Sequence, residues 1–265
     1  MKFYITYICN VCKQGLAYRF DYIAKIIGNI FTIVVQYYIW KALLMQNSPF
    51  IDNTEHGLKY IAAYITISAV INSVVKGNII GEINEKIRSG SISMDLVKPF
   101  GFMSLMFCNK IAKAIYQFLF LSVPLLIFSI IFFRCSFSGM FETVWGVTAA
   151  IGGFIIMFLM EYFLGLLGFW FQQVWILERF LNDFIRFFSG AIFPIWVFPE
   201  SIQMFAKALP FQYIYYQPII VFIGGINMDY IYNLLIMQLF WIIILWIMCK
   251  ILWFKSVKRI TIQGG

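Results

Sequence analysis

The sequence predicts an all-α polytopic membrane protein with six transmembrane helices, an N-terminal interfacial amphipathic helix, and a re-entrant helical segment between spans five and six. Three observations carry this prediction. The chain is 62% hydrophobic and 12% charged, with thirty Phe, where a soluble protein is about 45–50% apolar and about a quarter charged. Its apolar runs are continuous over about 20 residues, as helical spans require, and lack the period of two that barrel strands show. Its basic residues sit at the ends of those runs. With the N-terminus placed inside, only Lys41, Lys59, Arg134 and Lys207 of the 20 Lys and Arg fall outside. The positive-inside rule then puts both termini in the cytoplasm of a cell membrane.

Each element has a reason. Residues 1–20 place Phe3, Tyr4, Tyr7, Ile8 and Val11 on one helical face and Lys2, Asn10, Lys13 and Gln14 elsewhere, the pattern of a helix lying in the membrane interface. The spans are predicted at about 22–44, 58–80, 111–133, 143–171, 181–198 and 230–249. In the first, Asn29, Thr32 and Gln36 recur at near-helical spacing and make one face polar, which suits helix packing or a substrate path. In the third, Lys110 and Lys113 anchor the start and Pro124 kinks the middle. The fourth carries Gly146, Gly152, Gly153, Gly165 and Gly168 for close helix approach, and Glu161 as an intramembrane carboxylate. A polar turn is expected over 172–183. Beyond it, Pro194, Pro199, Pro210 and Pro218 punctuate a stretch that stays apolar, so after the fifth span the chain is expected to re-enter as short broken segments over 199–228.

Composition also excludes functions. The net charge of +8 is not gathered into a patch with spaced aromatics, so it reads as topology and anionic-lipid contact and not as nucleic-acid binding. Five Cys make no disulfide framework, and the lone Cys9/Cys12 pair has no second pair to complete a zinc site. One histidine, His56, leaves no His-based catalysis or metal site. The first 20 residues are too polar for the apolar core of a signal peptide. No phosphate-binding G-x-x-x-x-G-K-[ST], G-x-S-x-G or H-E-x-x-H occurs. No catalytic residue, metal site or bound cofactor is therefore expected, and any work must be driven by an ion gradient or by another subunit.

The longest polar interval, within 81–107, follows the second span. Glu82 to Arg88 is expected to extend that span into the cytoplasm, with Glu82–Lys86 and Glu85–Arg88 spaced to pair. After Ser89-Gly90-Ser91, the segment Asp95-Leu96-Val97-Lys98-Pro99 ends on proline, and Ile92, Met94, Leu96 and Val97 are apolar groups a partner's cleft could take.

The string from Ile87 through Ser91, Met94, Asp95, Leu96, Val97 and Lys98 to Pro99 resembles the cytoplasmic loop of type-two ABC transporter permeases, in particular the six-span stand-alone subunits. Gly168-Phe169-Trp170, the Pro-rich stretch from Ile192-Phe193-Pro194 to Leu209-Pro210-Phe211, and the tail ending Gln263-Gly264-Gly265 are similar in order. Val97-Lys98 departs from the Leu-Arg common in that pattern, and Glu161 matches no motif of it. The resemblance implies an ATP-driven exporter in which this chain, not itself an enzyme, pairs with a second permease copy or paralogue. Two ATP-binding cassette ATPases would bind ATP and Mg. It makes 81–107 the coupling region, with Glu82, Glu85, Arg88, Ile92, Met94, Asp95, Leu96, Val97, Lys98 and Pro99 as ATPase-coupling residues. It makes Pro194, Pro199, Pro210, Phe211 and Pro218 part of an outer gate. Asn29, Gln36 and Glu161 are the candidates for the substrate path. Two alternatives stay open: an ion-gradient-coupled transporter or channel using Glu161, and a membrane lipid-modifying enzyme with Glu178 and Asp183 near the interface.

Overall fold

The computed structural model describes residues 19–45, 54–98, 100–133, 139–171 and 174–259. The expected interfacial helix over 1–20, Cys9, Cys12, Pro99 and the Gln263–Gly265 tail lie essentially outside the described residues. The described residues form helices and turns, with no strand: α1 (Arg19–Met45), α2 (Thr54–Val75), α3 (Ile79–Arg88), α4 (Ile92–Leu96), α5 (Phe102–Gln117), α6 (Val123–Phe133), α7 (Met140–Leu166), α8 (Trp175–Phe188), α9 (Glu200–Ala208), α10 (Tyr216–Ile223) and α11 (Met228–Val257). Five stretches are long and apolar enough to cross a bilayer: Tyr22–Met45, Gly57–Arg88, Phe102–Phe133, Met140–Phe169 and Met228–Val257. The chain is thus an all-α polytopic membrane protein.

Three of the expected spans change shape. The second stretch is interrupted, because Lys76-Gly77-Asn78 is not helical. Asn78 then starts α3 as its N-cap, its Oδ1 accepting from the Gly81 amide at 3.1 Å. Glu82 to Arg88 is therefore not a rigid extension of the second span. The third span begins at Phe102 and not near 111, so Lys110 and Lys113 lie inside the helix and do not anchor its end. Between α5 and α6 the chain makes a π-helical turn, Phe118–Ser122, closed by the Val123 amide on the Phe118 carbonyl. This wide turn sits where Pro124, with no amide hydrogen, cannot continue the α-helical ladder. Ser122 Oγ meets Ser73 Oγ of α2 at 2.6 Å within it.

The arrangement of α7 and α11 dictates the rest. Trp145 meets Tyr232, the Gly152 notch receives Gln238, and Cys249 Sγ donates to the Leu159 carbonyl at 3.3 Å. Residue numbers rise together along both helices, so they are parallel. The intervening chain must consequently travel the length of the bundle in the opposite direction.

It does so in pieces. Residues 172–173 are outside the described part, and from Trp175 the expected polar turn is instead helix. The fifth predicted span, 181–198, is helical only to Phe188, since Gly190 takes a φ of 80° and Pro194 follows. The freed carbonyls are satisfied from α2: Tyr64 donates to Gly190, and Ser68 Oγ to Ala191 at 2.6 Å. Trp196 and Val197 then reach the Trp40 and Leu44 end of α1, far from α4. From there α9 and the Pro210–Tyr213 turn dip back to the middle of α7. At Gly153 a Cβ would lie 2.6 Å from the Tyr213 carbonyl oxygen, so only glycine admits the turn. Gln238 Nε2 donates to that same carbonyl at 3.1 Å and to Ala149 O at 2.8 Å. α10 climbs out again until Phe222 fills the notch at Gly146. Short segments opened by Pro194, Pro199 and Pro210, with Pro218 in the first turns of α10, replace one clean fifth helix.

Candidate functional site

At the opposite end, α3 and α4 form a small polar unit on an apolar base. The apolar positions of α3 recur at helical spacing, burying Ile79, Ile80 and Ile83 and leaving Glu85 and Arg88 exposed. Ile83 fits α7 because Gly165 has no side chain; a Cβ there would lie 2.8 Å from Ile83 Cδ1. Ile92 of α4 enters the same core, with Phe102, Leu105 and Met106 of α5, Phe158, Leu159 and Tyr162 of α7, and Cys249 of α11.

Charge pairing follows a pattern that adjacent spacing does not suggest. Glu82 pairs with Lys113 and accepts from Asn109, both on α5, and not with Lys86. Lys86 reaches Asp95 at 2.6 Å, and Lys98 holds the other oxygen of Asp95 at 2.6 Å. Glu85 and Arg88 make no ion pair with each other within 4 Å. Burial raises the affinity of Asp95 for a proton, but the two ammonium groups outweigh it and hold the carboxyl below its ordinary range.

The coupling residues expected from the sequence therefore divide. Ile92 and Asp95 are buried, Asp95 to 4% exposure, and face the protein itself. Glu82 braces α3 against α5. Met94 (68% exposed), Val97 (87%) and Leu96 face outward with Glu85, Arg88 and Lys98. Beside them, Gly81, Asn84, Glu85, Arg88 and Ser89 line a polar recess of about 380 Å³. Asn84 Oδ1 is buried without a partner among the described residues.

Just inside this unit lies a second cluster, at the break between α2 and α3. Glu161 of α7 and Lys110 of α5 pair at 2.8 Å, both nearly inaccessible at 2% exposure. The Glu161 carboxylate packs against Gly77, where a Cβ would lie 3.4 Å from Oε2, and the Lys110 ammonium sits 5.2 Å from the centre of the Phe154 ring. One turn before the break, Asn72 Oδ1 accepts from Tyr215 at 3.1 Å, which ties the start of α10 to α2. Glu161 is thus not the solitary carboxylate that the sequence suggests, and it is not grouped with Asn29 and Gln36. Their helix, α1, packs into a separate core of Ile33, Trp40, Leu44, Ile61, Ile65 and Leu125. Glu178 and Asp183, five positions apart on α8, lie on different faces of that helix.

Two of these features had a sequence signal that went unused. Gly77-Asn78, between apolar runs, combines a helix breaker with a favoured N-cap residue. A lysine inside one apolar run and a glutamate inside another are each expensive unless they meet. Elsewhere, an apolar groove of about 760 Å³ runs between α2, α5, α6 and α7, walled by residues such as Val74, Phe107, Ile111, Val147 and Phe154.

Five long apolar helical stretches, a broken run of short segments between the fourth and fifth of them, and a braced polar loop at one end define a multi-pass membrane protein. The sequence profile described as ABC-2 family transporter protein matches residues 30–264. The chain therefore belongs to the ABC-2 transporter family and is the permease of an ABC transporter. Permeases of this family generally work with ATP-binding cassette ATPase subunits. No curated protein matches the chain.

Proposed function

We propose that this permease serves an ATP-driven exporter, forming a path with a second permease, identical or paralogous, and docking two ATPases through α4. One observation carries the reading: α4 is fixed from within by Ile92 and Asp95 while its outer side presents Met94, Leu96 and Val97. A connection that only joined two spans would have no use for exposed apolar groups on a rigid base. The ATPases bind ATP and Mg, and a groove on each takes the apolar side of α4. The polar recess at Asn84 and Arg88 receives a hydrogen-bonding group beside it. When the ATPases close, force on α4 reaches α3 through the Lys86–Asp95 pair and the shared apolar core.

In this reading the α4 end and both termini face the cytoplasm, in agreement with the distribution of basic residues, and the protein resides in the cell membrane among lipids. The chain over 175–198 makes a broken fifth crossing. The proline-led segments that follow, with Phe211, act as the outer gate. Asn29 and Gln36, two turns apart on α1, border the path where the second permease meets it.

Co-expression with the ATP-binding cassette subunit from the same host tests the docking claim. Replacing both Met94 and Val97 by Asp is expected to abolish recovery of the ATPase from detergent while leaving the permease monodisperse. Undiminished recovery would sink α4 as the docking element. The exporter reading is favoured over an ion-gradient mechanism because Glu161 is paired with Lys110 and is not a free carboxylate facing a path.

A further inference from the structure

The break at Lys76-Gly77-Asn78 is held from three directions. Before it, Asn72 is bonded to Tyr215, the residue that leads into α10. At it, the Glu161 carboxylate, held by the Lys110 ammonium, packs against Gly77. After it, Glu82 in the first turn of α3 is held by Asn109 and Lys113. Asn109, Lys110 and Lys113 belong to one stretch of α5, so a single helix supplies cations to the break itself and to the start of α3.

A buried ion pair is an odd choice for stability alone. Apolar residues of similar volume pack a bundle as well or better, whereas separating a buried pair is strongly unfavourable. What the pair adds is geometric: it seats the Glu161 carboxylate against Gly77, in the middle of the break. That contact sets how α3 leaves α2.

We infer that Lys110 and Glu161 are positioning residues that latch the α2–α3 break at Gly77, so that displacement of the docking loop turns α3 about residues 76–78 and is passed to α2 and α10. This rests on the docking role proposed for α4. Glu161 acts by its contact with Gly77, and Lys110 acts by holding Glu161 in place. Tyr215 receives the motion on the far side, because it is bonded to Asn72 one turn above the latch.

The test uses the full permease with its ATPase in lipid nanodiscs, in a cysteine-free background carrying spin labels at Lys59, which is exposed, and at Ser93 of α4, which is partly exposed and outside the polar recess. The distance between labels is measured with and without ATP, alongside ATPase recovery and hydrolysis. In Glu161→Gln and Lys110→Met, ATPase recovery is expected to persist while the ATP-dependent distance change falls about fivefold or more. The exchanged double variant Lys110→Glu with Glu161→Lys is expected to restore at least part of that change. Should the single variants fail to fold, Lys110→Met with Glu161→Leu leaves no buried charge; it is expected to dock its ATPase and yet fail to move. A full distance change in any of these neutralised variants overturns the inference. So does loss of movement that always accompanies loss of ATPase recovery. Absence of ATPase from the unsubstituted permease would instead overturn the docking role itself.

Discussion

The α3–α4 loop and the helix break each hold a buried carboxylate on lysine, and they differ in where the lysines stand. Asp95 is buried but its partners Lys86 and Lys98 are partly open to solvent. Glu161 and Lys110 are both sealed inside. If the Asp95 contacts part, water reaches the lysines and softens the loss. If the Glu161 contact parts, two charges are stranded in a medium that screens them poorly. The loop can therefore yield and re-form, while the break is suited to all-or-none behaviour.

The contrast can be broken from either side. The largest effect is expected from Glu161→Ala, which strands Lys110 and should cost about 3–5 kcal/mol. Thermal unfolding in detergent would register it, and Lys110→Met in the same chain should recover much of the loss. Gly153→Ala comes next, since the added Cβ meets the Tyr213 carbonyl at 2.6 Å and the Ile214 Cα at 2.9 Å. Backbone cannot rotate aside as a side chain does, so overpacking of about 1–3 kcal/mol is expected, with greater proteolysis near 210–216. Asp95→Ala should cost less, about 1 kcal/mol, because the two charge-assisted bonds it loses run to lysines partly open to solvent. Faster amide exchange confined to 86–98 would show it. Because the two lysines hold the Asp95 carboxyl low, its contribution is complete above the unfolded value of about 3.9 and is lost as pH falls through the lower folded value. Exchange in this loop should accordingly be unaffected by this group from neutral pH down to about 5 and rise only in stronger acid. The smallest stability effect is expected for Val97→Asp, within about 0.5 kcal/mol, because that side chain touches little.

How much of this was legible in the sequence depended on whether the cause was local. Apolar run length located the long helices, and the proline spacing anticipated short segments over 199–228, though not the loss of helix from 189 to 198, which the sequence reads as part of a fifth span. The exposed character of Met94 and Val97 also followed from a polar neighbourhood. The burial of Ile92 and Asp95 did not, since it depends on α5, α7 and α11 meeting there. Glu82 had two plausible cations at hand, Lys86 by spacing and Lys113 by folding, and tertiary packing decided between them. Lys110 looked like a membrane anchor because the start of α5 was placed nine residues late, which hid its partner 51 positions away.

The parallel packing of α7 and α11 also constrains the order of assembly. During synthesis α7 is made well before the helix that fills its Gly152 notch, and the Tyr213 carbonyl has no Gln238 donor until that last helix arrives. The broken segment must wait, partly unsatisfied, for α11.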